Sequence, residues 1–153
     1  MREAAARLAC LLLGVLSGAM LFIGDVLVPL WSAMPPEGFV AWFAENAPRI
    51  RALMVPLGAT AALASVSAVM LGRFDPTPRR AWQAAAGINA VLIVALTVLL
   101  LEPMNERFVA VPPLPPEEVS AMLARWRRWH LLRTGLGLAG FYCAVRAVAA
   151  PKA

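Results

Sequence analysis

Charged residues are scarce in this chain, and that scarcity excludes an ordinary soluble domain. Only 15% of the 153 residues are charged, whereas 61% are hydrophobic and the mean hydropathy is +0.71. Soluble domains carry about 25% charged and roughly 45–50% apolar residues. Because a membrane-spanning helix needs about 20 apolar residues, the composition predicts an integral membrane protein with room for about four spans.

Histidine and cysteine are also rare, which argues against several common kinds of site. His130 is the only histidine, so one chain cannot supply two histidines to a haem, and one histidine among scattered carboxylates is a weak transition-metal site. Cys10 and Cys143 form no CxxC pair and lie inside apolar runs, unlike a thiol redox centre or a zinc site. GxGxxG, P-loop and GxSxG motifs are missing as well. We therefore expect no metal and no cofactor.

The net charge of +5 could suggest a nucleic-acid-binding protein. The basic residues, however, border apolar runs and form no stripe on a soluble fold. We therefore expect membrane lipids as neighbours and no nucleic-acid partner.

Four apolar runs predict an all-α membrane four-helix bundle that forms a single domain, residues 1–153. The predicted spans cover about residues 8–31, 50–72, 81–101 and 129–148. The first run is too long for a cleaved signal peptide. The fourth helix should begin near Pro116 and run to Val148, about 50 Å, and therefore extend beyond the roughly 30 Å hydrocarbon core.

The first loop, residues 33–49, predicts a short amphipathic helix that opens at Pro35 and Pro36. Trp42 and Phe43 lie on its apolar side. We expect this helix to lie on the membrane surface as an interfacial anchor, with a lid over a cavity as the alternative.

The connectivity of four spans collects most polar residues at one end of the bundle. The end of the first span, the start of the second, the end of the third and the membrane entry of the fourth lie on the same side. Ionisable groups within a membrane are candidate sites by default. The residues at this polar end are Asp25, Arg49, Arg51, Glu102, Asn105, Arg107, His130 and Arg133.

The orientation of the bundle depends on its lysines and arginines, which divide equally between the two sides. The arginines of the short turn from Arg73 to Arg80 lie directly next to membrane ends. We therefore expect both termini in the cytoplasm and the protein in the inner membrane of a bacterium.

Two groups of residues inside the spans should face the protein interior. Gly14, Gly18, Asp25 and Pro29 share one helical face, which we expect to look into the bundle. Asn89, near the middle of the third span, predicts an interhelical hydrogen bond, with a ligand contact as the alternative.

Asp25 lies about 9 Å inside the membrane boundary, where an unpaired carboxylate would be costly. Its expected partner is one of three cations at the polar end, namely Arg133, Arg51 or His130.

The segment RWRRWHLLR, from Arg125 to Arg133, carries the chemistry most worth considering. Trp126, His130 and Arg133 follow at helical spacing, so they can point into the same cavity. A histidine can accept and return a proton, and an arginine beside it could hold a phenolate, an enolate or an oxyanion. The alternative is a charge cluster that merely ties the first and fourth helices together.

The order of these features resembles a family of small four-helix membrane proteins that contains the anthrone oxygenases. Val28-Pro29-Leu30-Trp31 closes the first span, Pro103-Met104-Asn105 ends the third, and a proline-rich loop follows. Trp126, His130 and Arg133 then resemble the family's W-x-x-x-H-x-x-R pattern.

This resemblance implies a cofactor-independent oxidation of an anthrone-like or other electron-rich aromatic substrate by O₂. It places Asn105, Trp126, His130 and Arg133 in the site, with His130 as the base and Arg133 and Asn105 as the groups that stabilise the enolate. Asp25, Arg51 and Glu102, from the same polar end, are further candidates for substrate binding.

The rival prediction is a non-catalytic membrane protein, such as a lipid-binding or assembly subunit. In that protein the same cluster of aspartate, histidine and arginine would be structural. The sequence does not predict an oligomeric state.

Overall fold

The computed structural model describes residues 1–151, which form four long helices. They are α1 (Arg2–Ser32), α2 (Pro36–Leu71), α3 (Arg79–Phe108) and α4 (Pro116–Ala149), and the described residues include no strand. Each helix is long and apolar enough to cross a membrane. The predicted all-α bundle is confirmed, and the chain is a multi-pass membrane protein.

The outer surface of the bundle is apolar, as a lipid-facing surface must be. Leu63, Leu99 and Leu131, on α2, α3 and α4, are 67%, 70% and 71% exposed. In water each square ångström of such surface would cost about 25 cal/mol, whereas lipid tails are as apolar as leucine.

Helices that follow one another in the chain pack side by side, and α4 closes the bundle against α1. Glycines on α4 allow its close approach to both neighbours. A Cβ atom added to Gly137 would collide with Met20 on α1, and one added to Gly140 would lie 3.0 Å from the Cβ of Asn89 on α3. Polar residues on the inner face of α4 can therefore reach both α1 and α3.

Asn89 does not make the interhelical hydrogen bond that we predicted. Its amide donates to the carbonyl of Ala85, one turn earlier in α3, at 2.9 Å. The prediction is wrong because the facing residue on α4 is Gly140, which offers no side-chain partner.

Both α1 and α3 contain one π-helical turn, at Ile23–Leu27 and Thr97–Leu101. Each turn includes the residue four positions before a proline, Pro29 in α1 and Pro103 in α3. In a regular α-helix the proline ring clashes with the main-chain carbonyl of that residue, and the proline has no N–H to donate to it. The wider π-turn accommodates both effects and lets the helix continue.

The prediction that Gly18, Asp25 and Pro29 face the bundle is wrong. All three are exposed, and the inward positions of α1 are instead Leu13, Leu16, Ser17, Met20 and Ile23. The three residues still share one face, as their spacing predicted, but this face points outward, and Gly18 already lies on it in the regular α-helix before the π-turn. Gly24, and not Asp25, faces His130, whose Nε2 would lie 3.4 Å from a Cβ at this glycine.

The short surface helix predicted in the first loop is also wrong. Residues 36–49 form the beginning of α2, which runs without a break for 36 residues through Pro48 and Pro56. Phe39 and Phe43 turn inward and are buried. Because this segment continues the membrane span, it rises from the membrane beside α4 and does not lie flat on the surface.

The end of the bundle that holds the N-terminus is tied by ion pairs to the turn between α2 and α3. Arg2 contacts Asp75 at 3.0 Å, and the Asp75 side chain is only 1% exposed. Asp75 also accepts hydrogen bonds from the hydroxyl of Thr77 at 2.6 Å and from its N–H at 3.0 Å. These hydrogen bonds, together with the positive charge of Arg2, lower the pKa of Asp75 against the opposing effect of burial.

Asp75→Asn should lower the melting temperature of the detergent-solubilised protein by a few degrees at pH 7. Because the folded state lowers the pKa of Asp75, its contribution to stability is present at neutral pH and is lost as the pH falls through that lowered pKa, below about 4. Thermal melts between pH 7 and pH 3 should therefore converge for the wild type and the variant. Curves that remain parallel over this range would contradict the assignment.

Candidate functional site

His130 and Arg133 form the centre of the polar end, one turn apart on α4. They are 2% and 7% exposed. Arg133 donates through Nη2 to Nδ1 of His130 at 2.9 Å, and through Nη1 to the hydroxyl of Thr97 at 3.0 Å. Thr97 is the first residue of the π-turn in α3. The guanidinium is thus held between α3 and α4.

The hydrogen-bond partners of His130 define its tautomer. A guanidinium has only donors, so Nδ1 of His130 accepts from Arg133 and carries no proton. Nε2 then carries the ring proton and donates it to the main-chain carbonyl of Met20 on α1, at 2.9 Å. The neutral ring therefore uses both of its nitrogens within the protein.

The positive charge of Arg133 has no counter-ion in contact with it. Among residues 1–151 no carboxylate makes an ion pair with Arg133, and its Nε has no hydrogen-bond partner. Of the five N–H donors of a guanidinium, two are used, one on Nη1 and one on Nη2. The second N–H of each of these nitrogens is left for a ligand, whereas Nε is fully buried. A buried arginine in a membrane is costly and marks a functional position by default.

Asp25 contacts none of the three cations that we predicted as its partner, namely Arg133, Arg51 and His130. It is exposed, and within the described part of the chain it makes no ion pair and no hydrogen bond. It lies on the same outward face of α1 as Gly18 and Pro29. Arg133 is therefore left without the carboxylate that the sequence suggested.

A second chain of polar contacts runs from α2 through α3 to α4. Nε of Arg51 lies 3.3 Å from Oε1 of Glu102, and Nδ2 of Asn105 donates to Oε2 of Glu102 at 3.1 Å. The indole N–H of Trp126 donates to Oδ1 of Asn105 at 2.9 Å. Since an indole can only donate and a carboxylate can only accept, these partners also define the orientation of the Asn105 amide.

Trp126 joins the two groups of polar residues. Its ring stacks on the ring of His130, with 4.8 Å between the centroids and 9° between the planes. Its other neighbour is Trp31, whose ring meets it edge-on at 5.5 Å. Trp126 is thereby immobilised from both sides.

A cavity of about 570 Å³ lies against these residues. Its walls are mostly apolar and include Met20 and Trp31 from α1, Phe43 and Met54 from α2, and Leu101 from α3. The polar side chains that line it are Arg51, Thr97, Glu102, Asn105, Glu106, Trp126 and Arg133. Pockets of roughly 300–1,000 Å³ with apolar walls and few polar groups are typical of small-molecule sites.

We infer that the cavity opens between α2 and α3. Val55 on α2 and Val98 on α3 both line it and are 48% and 57% exposed. The Arg51–Glu102 ion pair joins the same two helices, and the Arg51 side chain is 61% exposed. The opening therefore has a lipid-facing apolar side and one polar edge.

The structure places five of the predicted site residues around one cavity: Arg51, Glu102, Asn105, Trp126 and Arg133. His130 stands behind Arg133 and Trp126 and does not line the cavity, and Asp25 lies outside it.

Two contacts of the site did not follow from the sequence reasoning. Thr97 was passed over in an apolar run, although its hydroxyl was a signal that could have been used. The carbonyl of Met20 belongs to the main chain and leaves no side-chain signal.

The family of the chain is shown by comparison with known proteins. The model of the anthrone oxygenase family matches residues 44–143, which include every residue named above as lining the cavity from α3 and α4 and exclude all of α1. No curated protein and no solved structure matches the chain. The match covers well over half of the 153 residues, so the chain belongs to the anthrone oxygenase family.

Proposed function

We propose that this protein oxidises an anthrone-like aromatic substrate with O₂ inside the cavity between α2 and α3. The observation that carries the proposal is the guanidinium of Arg133, which is buried, has no carboxylate in contact with it, lines the cavity and keeps free N–H donors. An anion that forms on the substrate would place a negative charge in direct contact with it.

The chemistry of an anthrone fits this arrangement. Loss of one methylene proton gives an anion whose charge spreads onto the carbonyl oxygen, where Arg133 can stabilise it by charge and by hydrogen bonds. The electron-rich anion reduces O₂ and forms a C–O bond at the methylene carbon. Loss of water from the resulting hydroperoxide leaves the second carbonyl, so that CH₂ and O₂ become C=O and H₂O.

The walls of the cavity suit a flat, apolar ring system. Trp31, Phe43 and Trp126 present aromatic surface, and Met54 and Leu101 are flexible or aliphatic. The side opening would let such a substrate arrive from the lipid phase.

The direct test is O₂ consumption by the purified protein in detergent, with anthrone as the substrate. We expect O₂ uptake and quinone absorbance to rise in equal molar amounts, above the rate of spontaneous oxidation in the same detergent. A rate equal to the protein-free rate would contradict the proposal.

The role of His130 follows from its hydrogen bonds. Its use as the base stays a prediction from the family resemblance, but both ring nitrogens are engaged, and one of them holds Arg133. We propose that His130 positions the guanidinium, as a neutral acceptor that does not oppose its charge.

Two variants of His130 separate the positioning role from a role as base. In His130→Asn the side-chain oxygen lies near the former Nδ1 and can still accept from Arg133, whereas His130→Gln places its amide nearer to Nε2. We expect the Asn variant to oxidise anthrone at least about tenfold faster than the Gln variant, since a hydrogen bond to a charged group is worth about 1.5–3 kcal/mol. Equal and complete loss in both variants would favour the base.

One observation favours a second candidate, a non-catalytic lipid-binding or assembly subunit. The contacts of Arg51, Glu102, Asn105, Trp126, His130 and Arg133 connect all four helices. If His130→Gln and Arg133→Lys both lose stability in detergent, and the wild type neither turns over anthrone nor carries a small molecule, this structural role is the better description.

A further inference from the structure

The proposed oxidation needs a group that takes the methylene proton, and this group must reach the substrate. Of the ionisable residues at the polar end, His130 lies behind the cavity wall and Asp25 lies on the outer surface. Arg51 and Arg133 are cations and cannot serve. The acids that line the cavity are Glu102 and the exposed Glu106.

Glu102 is held in place more firmly than any other acid at this end. Its side chain is only 18% exposed, and its two oxygens contact different partners, Arg51 and Asn105. Asn105 is itself oriented by the indole N–H of Trp126. A carboxylate has about four lone-pair positions, so two contacts leave acceptor positions free for a substrate.

Glu102 and Arg133 reach the same cavity from different helices, and the reaction also needs groups at two different edges of the substrate. In an anthrone the methylene and the carbonyl lie at opposite edges of the central ring. Glu102 lines the cavity from α3 and Arg133 lines it from α4. A substrate between them can present its methylene to the carboxylate and its carbonyl to the guanidinium.

We propose that Glu102 is the catalytic base of this site, an inference that rests on the proposed oxidation. The C–H bond breaks, the proton passes to a carboxylate oxygen of Glu102, and the electron pair remains on the substrate with its charge at Arg133. O₂ then accepts electrons from the anion. The protonated Glu102 returns its proton to the outer oxygen of the peroxide that forms at the methylene carbon, which gives a hydroperoxide. The remaining hydrogen on this carbon then leaves as a proton, its electron pair forms the C=O bond as the O–O bond breaks, and the departing hydroxide takes up the proton and leaves as water. Carboxylates act in this way on carbon acids next to a carbonyl when a nearby donor stabilises the enolate.

Proton removal can be measured without the oxidation. Anthrone is incubated with the protein in D₂O under argon, and deuterium uptake at the methylene is followed by mass spectrometry. We expect the wild type to accelerate exchange and Glu102→Gln to lose at least about 10²-fold of that acceleration. Exchange by Glu102→Gln at the rate of the wild type would overturn the inference.

Three further variants make the result specific. Glu45→Gln removes an exposed acid at the same end, outside the cavity, and should exchange like the wild type. Arg51→Gln breaks the ion pair but leaves the carboxylate, so we expect exchange within about tenfold of the wild type. Should Glu102→Gln fail to fold, Glu102→Asp keeps the charge on a shorter side chain and should show slowed exchange with a normal melting temperature.

The two proposals fail in different ways. If the wild type neither exchanges the methylene hydrogens nor consumes O₂ with anthrone, the proposed function itself is wrong. If the wild type does both and Glu102→Gln still exchanges as fast, only the role of Glu102 is wrong.

Discussion

Arg133→Leu should lower the rate of anthrone oxidation by about 10²–10³-fold, the usual effect of removing one group that stabilises an oxyanion. The variant retains the apolar volume of the side chain but loses the charge and every N–H donor. Arg133→Lys keeps the charge and loses the planar fork, so its rate should fall between those of the wild type and the Leu variant. Initial rates of quinone formation in detergent give the measurement.

Arg133→Leu should change stability little. It removes a buried charge that has no ion-pair partner, which is often neutral or stabilising, but it leaves the buried Nδ1 of His130 without its donor, which is destabilising. We expect the melting temperature of Arg133→Leu to stay within a few degrees of that of the wild type, because these effects oppose each other. A large loss of stability with normal activity would show that Arg133 is structural.

Arg125→Gln is the matched control for Arg133→Leu. Arg125 is exposed on the same helix, about two turns earlier, and lines no described cavity. The Arg125→Gln variant should have the same rate of anthrone oxidation and the same melting temperature as the wild type.

Phe108→Ala should destabilise the protein by about 3–5 kcal/mol, the usual result of truncating a buried phenylalanine. Phe108 is 2% exposed and meets Phe39 and Phe43 edge-on, with centroids 4.9 and 5.3 Å apart. These rings hold the end of α3 against the start of α2. Chemical unfolding of the variant in mixed micelles, followed by tryptophan fluorescence, measures the loss.

Phe74→Ala is the control for this truncation, because Phe74 is 84% exposed and should contribute little. Phe108→Leu fills most of the volume and should recover more than half of the lost stability. If Phe108→Ala and Phe74→Ala unfold at the same denaturant concentration, the cluster of rings does not stabilise this end.

Much of the fold and part of the site could be predicted because they depend on regular periodicity. Apolar runs predicted four spans, and the connectivity of the spans brought Glu102, Asn105, Trp126 and Arg133 to one end. The helix α4 is α-helical throughout and keeps its spacing, so Trp126, His130 and Arg133 could be assigned to one face without coordinates.

The wrong predictions arise where spacing does not say which face of a helix turns inward, or where a helix ends. Gly18, Asp25 and Pro29 share one face of α1, as the spacing predicted, but this face is exposed, and Gly24 faces His130 instead. In a span that is apolar all round, periodicity alone does not identify the inner face. The surface helix was wrong because residues 33–49 were separated from the second span as a loop, whereas α2 continues from Pro36 into that span without a break.

The partners of His130 could not be predicted from side-chain types. One of them is the main-chain carbonyl of Met20. The other is Arg133, which the sequence suggested as a possible ion-pair partner of Asp25. Arg133 lines the cavity, and His130 lies directly behind it. The sequence places both residues on the same helical face and therefore does not tell which of them can reach a substrate.

The side opening of the cavity between Val55 and Val98 has a consequence for how the protein would meet its substrate. An apolar aromatic molecule dissolves mainly in the bilayer, so the concentration that matters is its mole fraction among the lipids. Adding lipid at a constant amount of substrate would dilute the substrate in two dimensions and slow the reaction, although the bulk concentration stays the same. In a cell, the area of membrane would set the supply of substrate as much as the rate of its synthesis.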